Sequence, residues 1–141
     1  AVDLVVDILL GSLTDRDTVV RWAAAKGLGR LTERLPREFA FEVISAVLEG
    51  SQDQRLVEWS RHGTALALAE LARRGLLTPD LLERALSFVG ESLVYETRDG
   101  GHVVGASVRD AACYVAWAFA RAYHPSVLRA HIPRLGQQLL V

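Results

Sequence analysis

An all-α chain of stacked helix pairs is the architecture this sequence predicts, and three observations carry the prediction. Apolar residues recur at helical spacing along nearly the whole chain, and no run alternates as a strand would. The helical stretches are of two kinds, four with an ordinary apolar face and three rich in alanine and glycine. Across those three, an arginine falls in one alignment column, at Arg21, Arg61 and Arg109, with separations of 40 and 48 residues. That interval matches the period of about 40 to 47 residues seen in two-helix repeats of the HEAT and armadillo class. The expected fold is a HEAT-repeat α-solenoid, an α-α superhelix of about three helix pairs plus one further helix. The expected repeats run over 1–35, 36–76, 77–124 and the start of a fourth over 125–141.

Each element has its own local reason. Val2, Val5, Val6, Leu9, Leu10 and Leu13 fall at i, i+3, i+4, i+7, i+8 and i+11, the pattern of one buried helix face. After a tight turn at Thr14, Asp15 and Arg16 comes DTVVRWAAAKGLGRL, within a helix expected over about 17–34. It holds Gly27 and Gly29, each of which costs a helix interior about 1 kcal/mol relative to alanine. Close packing against neighbouring helices offsets that cost. Val20, Ala24, Gly27 and Leu31 share the face expected to meet the first helix, whereas Gly29 points almost opposite.

A third helix follows from Ala40, Val43, Ile44, Val47 and Leu48, and the polar stretch Gly50 to Val57 reads as a loop. The second alanine-rich helix is expected over about 56–75. Thr78 then reads as an N-cap with Pro79 at the first helical position, ahead of Leu82, Leu86, Val89 and Leu93. The ten residues ETRDGGHVVG, Glu96 to Gly105, are long for a helix connection and read as a mobile loop. A binding role for Arg98, Asp99 and His102 is the sharper alternative there. The third alanine-rich helix occupies about 106–123, and Leu128, Ile132, Leu135 and Leu139 mark a last helix kinked by Pro133.

Composition narrows the function classes. The chain has 141 residues, 50% of them hydrophobic, enough for one domain with a real core. Sixteen basic against 17 acidic residues give a net charge of -1, without the footprint of a nucleic-acid or anionic-membrane binder. The single Cys113 cannot pair within the chain, and the longest uncharged apolar run, Ala111 to Ala120, falls short of the roughly 20 residues of a membrane span. A soluble protein from a reducing compartment is expected, with neither nucleic acid nor membrane as partner. The absence of methionine makes the chain read as a segment of a longer protein.

Catalytic motifs are not found. KGLGR lacks the third glycine of a dinucleotide fingerprint and the ending of a phosphate loop, and it lies inside a helical pattern. His62, His102, His124 and His131 fall on different elements without HExxH or a cysteine pair, and read as surface or boundary residues. Cys113, in mid-helix among alanines, reads as a buried inert thiol. No catalytic residue, cofactor or metal is assigned.

The face opposite Gly27 is the most informative. Trp22, Lys26 and Gly29 lie on it in the first repeat, His62, Leu66, Ala69 and Arg73 in the second, and Asp110, Tyr114, Trp117 and Arg121 in the third. Second helices of such solenoids line the concave surface, and aromatics with arginine are the usual content of binding hot spots. Either tryptophan taken alone reads as packed; the stripe taken together reads as a partner surface. The arginine column reads as structural. Asp17 precedes Arg21 by four residues, as in the Asp–Arg ladders of stacked repeats, but the equivalent places hold Val57 and Gly105. Asp53 or Asp99 would have to reach in from the loops to complete such a ladder.

DTVVRWAAAKG, HGTALALAELARRGLL and VRDAACYVAWAFARAY together resemble the tubulin-specific chaperone D family, the large tubulin-folding cofactors, across their middle HEAT region. The last block is the most specific, since a generic repeat does not require Cys113, Tyr114, Trp117 and Phe119 in that order. The resemblance implies a non-catalytic cytoplasmic scaffold associated with the cytoskeleton. Family members capture β-tubulin after the cytosolic chaperonin and assemble or disassemble the αβ dimer with cofactors E and C and a small Arf-like GTPase. The whole assembly stimulates GTP hydrolysis by tubulin. The alternatives are a HEAT scaffold of the transport-receptor or phosphatase type, and a GTPase-activating subunit using Arg61, Arg73 or Arg109 as a finger.

Overall fold

The computed structural model describes residues 2–53 and 57–140. Its helices run in the order α1 (Val2–Ser12), α2 (Thr18–Arg34), α3 (Arg37–Ser51), α4 (Glu58–Arg73) and α5 (Pro79–Leu93). A hairpin of β1 (Thr97–Asp99) and β2 (His102–Val104) then leads to α6 (Ala106–Ala122), α7 (Pro125–Leu128) and α8 (Ile132–Leu140). The alanine-rich α2, α4 and α6 pack side by side as one layer, and α1, α3 and α5 form the layer behind them. The architecture is an all-α repeat solenoid, as its sequence predicts.

Local chemistry sets the boundaries. Asp17 caps α2 by accepting from the Val19 N–H at 2.8 Å, and Pro36 directly precedes α3. Gly75, at φ 67°, ends α4 in the left-handed region, and the Leu76 N–H reaches back to the Leu71 carbonyl at 3.1 Å. Thr78 and Pro79 start α5 as expected, although the Thr78 hydroxyl makes no capping bond.

The core centres on α4, whose residues from His62 to Ala72 are all buried. Enclosure on every side explains a helix with little amphipathic contrast: α2 and α6 flank it, and α3 and α5 pack behind. Gly63 is indispensable to this arrangement, because a β-carbon there would lie 1.8 Å from the carbonyl oxygen of Leu13 at the end of α1. Gly27 likewise faces Leu9 of α1, the partner its helical face predicts.

Four expectations about the secondary structure and burial of the outer elements and α6 need correction. The segment from Glu96 to Gly105 is not simply a loop, since Thr97 pairs with Val104, Arg98 with Val103 and Asp99 with His102 in an antiparallel hairpin. Gly100 and Gly101, at φ 56° and 88°, supply the tight two-residue turn that right-handed strand twist requires. The last helix is not kinked at Pro133. Proline in the first turn costs no internal hydrogen bond, so Pro133 helps to start α8, while Leu128 closes the separate turn α7. Along α1 only Leu13 beyond its end is buried, and Val2 and Val5 are exposed, because nothing in the described chain covers that part of the face. Finally, Cys113 is exposed on α6 rather than buried.

Candidate partner-binding surface

The arginine column sets the register of the inner layer. Asp17, Val57 and Gly105 are the N-caps of α2, α4 and α6, and their carbonyls accept from the backbone N–H of Arg21, Arg61 and Arg109 at 3.1, 3.0 and 3.0 Å. Each guanidinium then turns inward. Arg21 is buried and donates to the carbonyls of Asp15 and Arg16, to the Thr18 hydroxyl and, through Nε, to His62 Nδ1 at 3.1 Å. Arg61 lies over the rings of Phe88 and Tyr95, and Arg109 donates to the Tyr95 carbonyl at 2.7 Å. These contacts take the place of an Asp17–Arg21 rung, since the Asp17 carboxylate is used as the helix cap. The column joins the helices to their own loops and to neighbouring helices.

His62, expected on the exposed stripe, does not belong to it. It is buried, and it accepts the Arg21 bond through an unprotonated Nδ1. Burial and the neighbouring Arg21 hold its pKa below 6.5, opposed by Glu58. Leu66, Ala69 and Gly29 are buried too. Gly29 is small so that α2 can approach α4, because a β-carbon there would meet Arg74 at 2.8 Å and the Glu70 side chain at 3.1 Å. Its small size is explained by the next helix and not by a partner.

The remaining stripe residues converge. Neighbouring helices pack 8–10 Å apart, which places α2 and α6 up to about 20 Å apart across α4. The rings of Trp22 on α2 and Tyr114 on α6 nevertheless meet, with centroids 5.9 Å apart. The inner layer is therefore concave on this side, and both rings pack against the core. Trp117 continues the ladder, stacked on Tyr114 at 5.8 Å and 16°, and the Arg121 guanidinium lies 5.5 Å from the centre of its ring. Tyr114, Trp117 and Arg121 lie three and four residues apart on one helix, the spacing at which side chains touch. Trp117 is 51% exposed, a large ring held ready at the surface. Lys26, Asp110 and Arg121 are exposed, each four residues along its helix from a ring of the ladder: Lys26 from Trp22, Asp110 from Tyr114 and Arg121 from Trp117.

A polar network beside the ladder is absent from the sequence reading. Glu70 is buried on α4 and accepts from Arg74 at 2.6 Å, while Arg74 also pairs with Glu33 of α2 at 3.3 Å. Arg73 lies 3.5 Å from Glu70 and donates to the Tyr114 hydroxyl at 3.3 Å. The network runs from α2 across α4 to α6. Its signal is present in ELARR, which sets Glu70 three and four residues before two arginines. Among the described residues no three His, Cys, Asp or Glu side chains cluster as a metal would need. Nor, among the described residues, is any helix long and apolar enough to cross a membrane.

This arrangement of helix pairs agrees with comparison to known proteins. The family model of tubulin-specific chaperone D-like ARM repeats matches residues 1–141. The chain belongs to the tubulin-specific chaperone D-like family. The tubulin-specific chaperone D of Dictyostelium discoideum is 39% identical over 136 residues, covering 92% of this chain and 9% of that protein. The tubulin-folding cofactor D of Schizosaccharomyces pombe is 36% identical over 141 residues, covering 89% of this chain and 13% of that protein. The chain thus spans a small part of the chaperone D relatives it matches. No solved structure matches it.

Proposed function

We propose that this chain is part of the scaffold of a tubulin-folding cofactor, with the concave ladder Trp22, Tyr114 and Trp117 and the neighbouring Lys26, Arg73, Asp110 and Arg121 as a partner surface. The proposed setting is the cytoplasm, in association with the cytoskeleton. β-Tubulin released from the chaperonin is the proposed client, and cofactors E and C and a small Arf-like GTPase are the proposed co-workers. The observation that carries the site is Trp117, half exposed yet fixed between Tyr114 and Arg121. A ring already ordered loses little entropy when a partner covers it. Family membership supports the tubulin side of the reading.

The chain acts by holding, not by chemistry. Arg61 and Arg109 are engaged in internal contacts and are poor candidates for a finger residue. Any stimulation of GTP hydrolysis is assigned to the whole assembly. The test is a titration with native αβ-tubulin, wild type against Trp117→Ala. Loss of a hot-spot aromatic costs 2 kcal/mol or more, so affinity should fall about 30-fold with helix content unchanged. Unchanged affinity in a folded variant would remove the site.

A further inference from the structure

The concave ladder carries a charge bias that the chain as a whole lacks. The full sequence has a net charge of -1, yet the exposed charged residues of the stripe are Lys26, Arg73 and Arg121 against Asp110 alone. Around the ladder, Glu33 and Glu70 are bound to Arg74, and Glu70 also faces Arg73. Among the described residues no carboxylate pairs with Lys26 or Arg121. Both are exposed, Lys26 on α2 one turn from Trp22 and Arg121 on α6 one turn from Trp117. Asp110 is the opposing exposed acid on the α6 side.

We infer that the ladder binds an acidic peptide segment bearing an aromatic or apolar anchor. This rests on the reading of the stripe as a partner surface and specifies the partner's chemistry. The anchor packs on the exposed half of the Trp117 ring, the part that Tyr114 and Arg121 leave uncovered and the one large apolar surface of the stripe that is half exposed. Carboxylates on either side reach Arg121 and Lys26, with Arg73 able to add a charged hydrogen bond from the α4 side. Because Arg121 already lies over the Trp117 ring, an incoming carboxylate meets a cation whose position is set. A basic segment would meet two unpaired cations of its own sign.

The probe is a short glutamate-rich peptide with one central phenylalanine, compared with its lysine-rich counterpart, titrated into the full chain while its fluorescence anisotropy is followed. The glutamate peptide should bind and the lysine peptide should not. Surface charge contacts are individually weak, so losing two of them in Lys26→Ala with Arg121→Ala should weaken the glutamate peptide about two- to thirtyfold. Added salt should weaken it in the same direction. Both variants replace exposed side chains, and circular dichroism verifies that helix is kept. Equal binding of the two peptides, or binding indifferent to the double variant, would overturn the inference. Failure of the peptide while αβ-tubulin still binds through Trp117 would overturn the acidic-segment inference and leave the surface standing. Indifference of αβ-tubulin to Trp117→Ala would refute the surface itself.

Discussion

Gly63→Ala inserts one methyl group where α4 rests on the end of α1. The added β-carbon would lie 1.8 Å from the Leu13 carbonyl oxygen, 2.8 Å from its carbon and 3.2 Å from its α-carbon. All three are backbone atoms, so relief requires the two helices to separate. Overpacking of a tight core costs about 1–3 kcal/mol, and a contact this short against backbone belongs at the upper end. Alanine returns about 1 kcal/mol of helix propensity, leaving a net loss of about 2 kcal/mol. At the entropy of unfolding typical of a chain this size, that is a fall in Tm of about 7 °C. Gly50→Ala provides the contrast, since nothing lies within 4 Å of its β-carbon in α3. It should hold or raise Tm. Thermal melts followed at the helical circular dichroism band would refute the packing argument if Gly63→Ala were as stable as the wild type.

Two further outcomes follow from buried polar groups. His62 has a folded pKa held below 6.5, so the unfolded chain takes up the proton first. Stability should be full above 6.5 and lost as pH falls through the folded value, a slope that His62→Gln flattens; an unaltered slope in urea titrations would count against the Arg21–His62 contact. The Tyr123 hydroxyl accepts from the Leu77 N–H at 2.8 Å and donates to the Leu77 carbonyl at 3.0 Å, tying the end of α6 to the α4–α5 connection. Tyr123→Phe leaves both backbone groups without that partner and should cost about 1–3 kcal/mol in urea unfolding, whereas a loss near zero would mean that water replaces the bond.

The legible parts of the fold were those fixed by repetition. Equivalent N-caps precede Arg21, Arg61 and Arg109, so the arginine column marked the register of α2, α4 and α6. Helical periodicity could not tell which faces of α4 are covered, because a helix enclosed by four others offers no polar side to orient it. His62, Leu66 and Ala69 therefore read as open positions although the structure buries all three, and of the α4 residues in the stripe only Arg73 is exposed. The role of Gly29 is hidden for a related reason, since its neighbour is Glu70, forty-one residues away in the sequence, and only the stacking of α2 on α4 brings them together. The hairpin was readable from GG between TRD and HVV, but its strands of three residues are too short for alternation to stand out.

The meeting of Trp22 with Tyr114 lay beyond sequence reasoning, because it depends on curvature. Small rotations between successive helix pairs decide whether rings on α2 and α6 touch over α4. The residue types of the site were legible; their convergence was not.

The central claim is that the concave ladder, and not another face, meets the partner. Hydroxyl-radical footprinting of the full chain with and without native αβ-tubulin tests it residue by residue, with Trp59 at the start of α4 and Phe39 on α3 as exposed controls. The account predicts strong protection of Trp117 with Trp59 and Phe39 unchanged. Protection of Phe39 or Trp59 with Trp117 still fully labelled would contradict it.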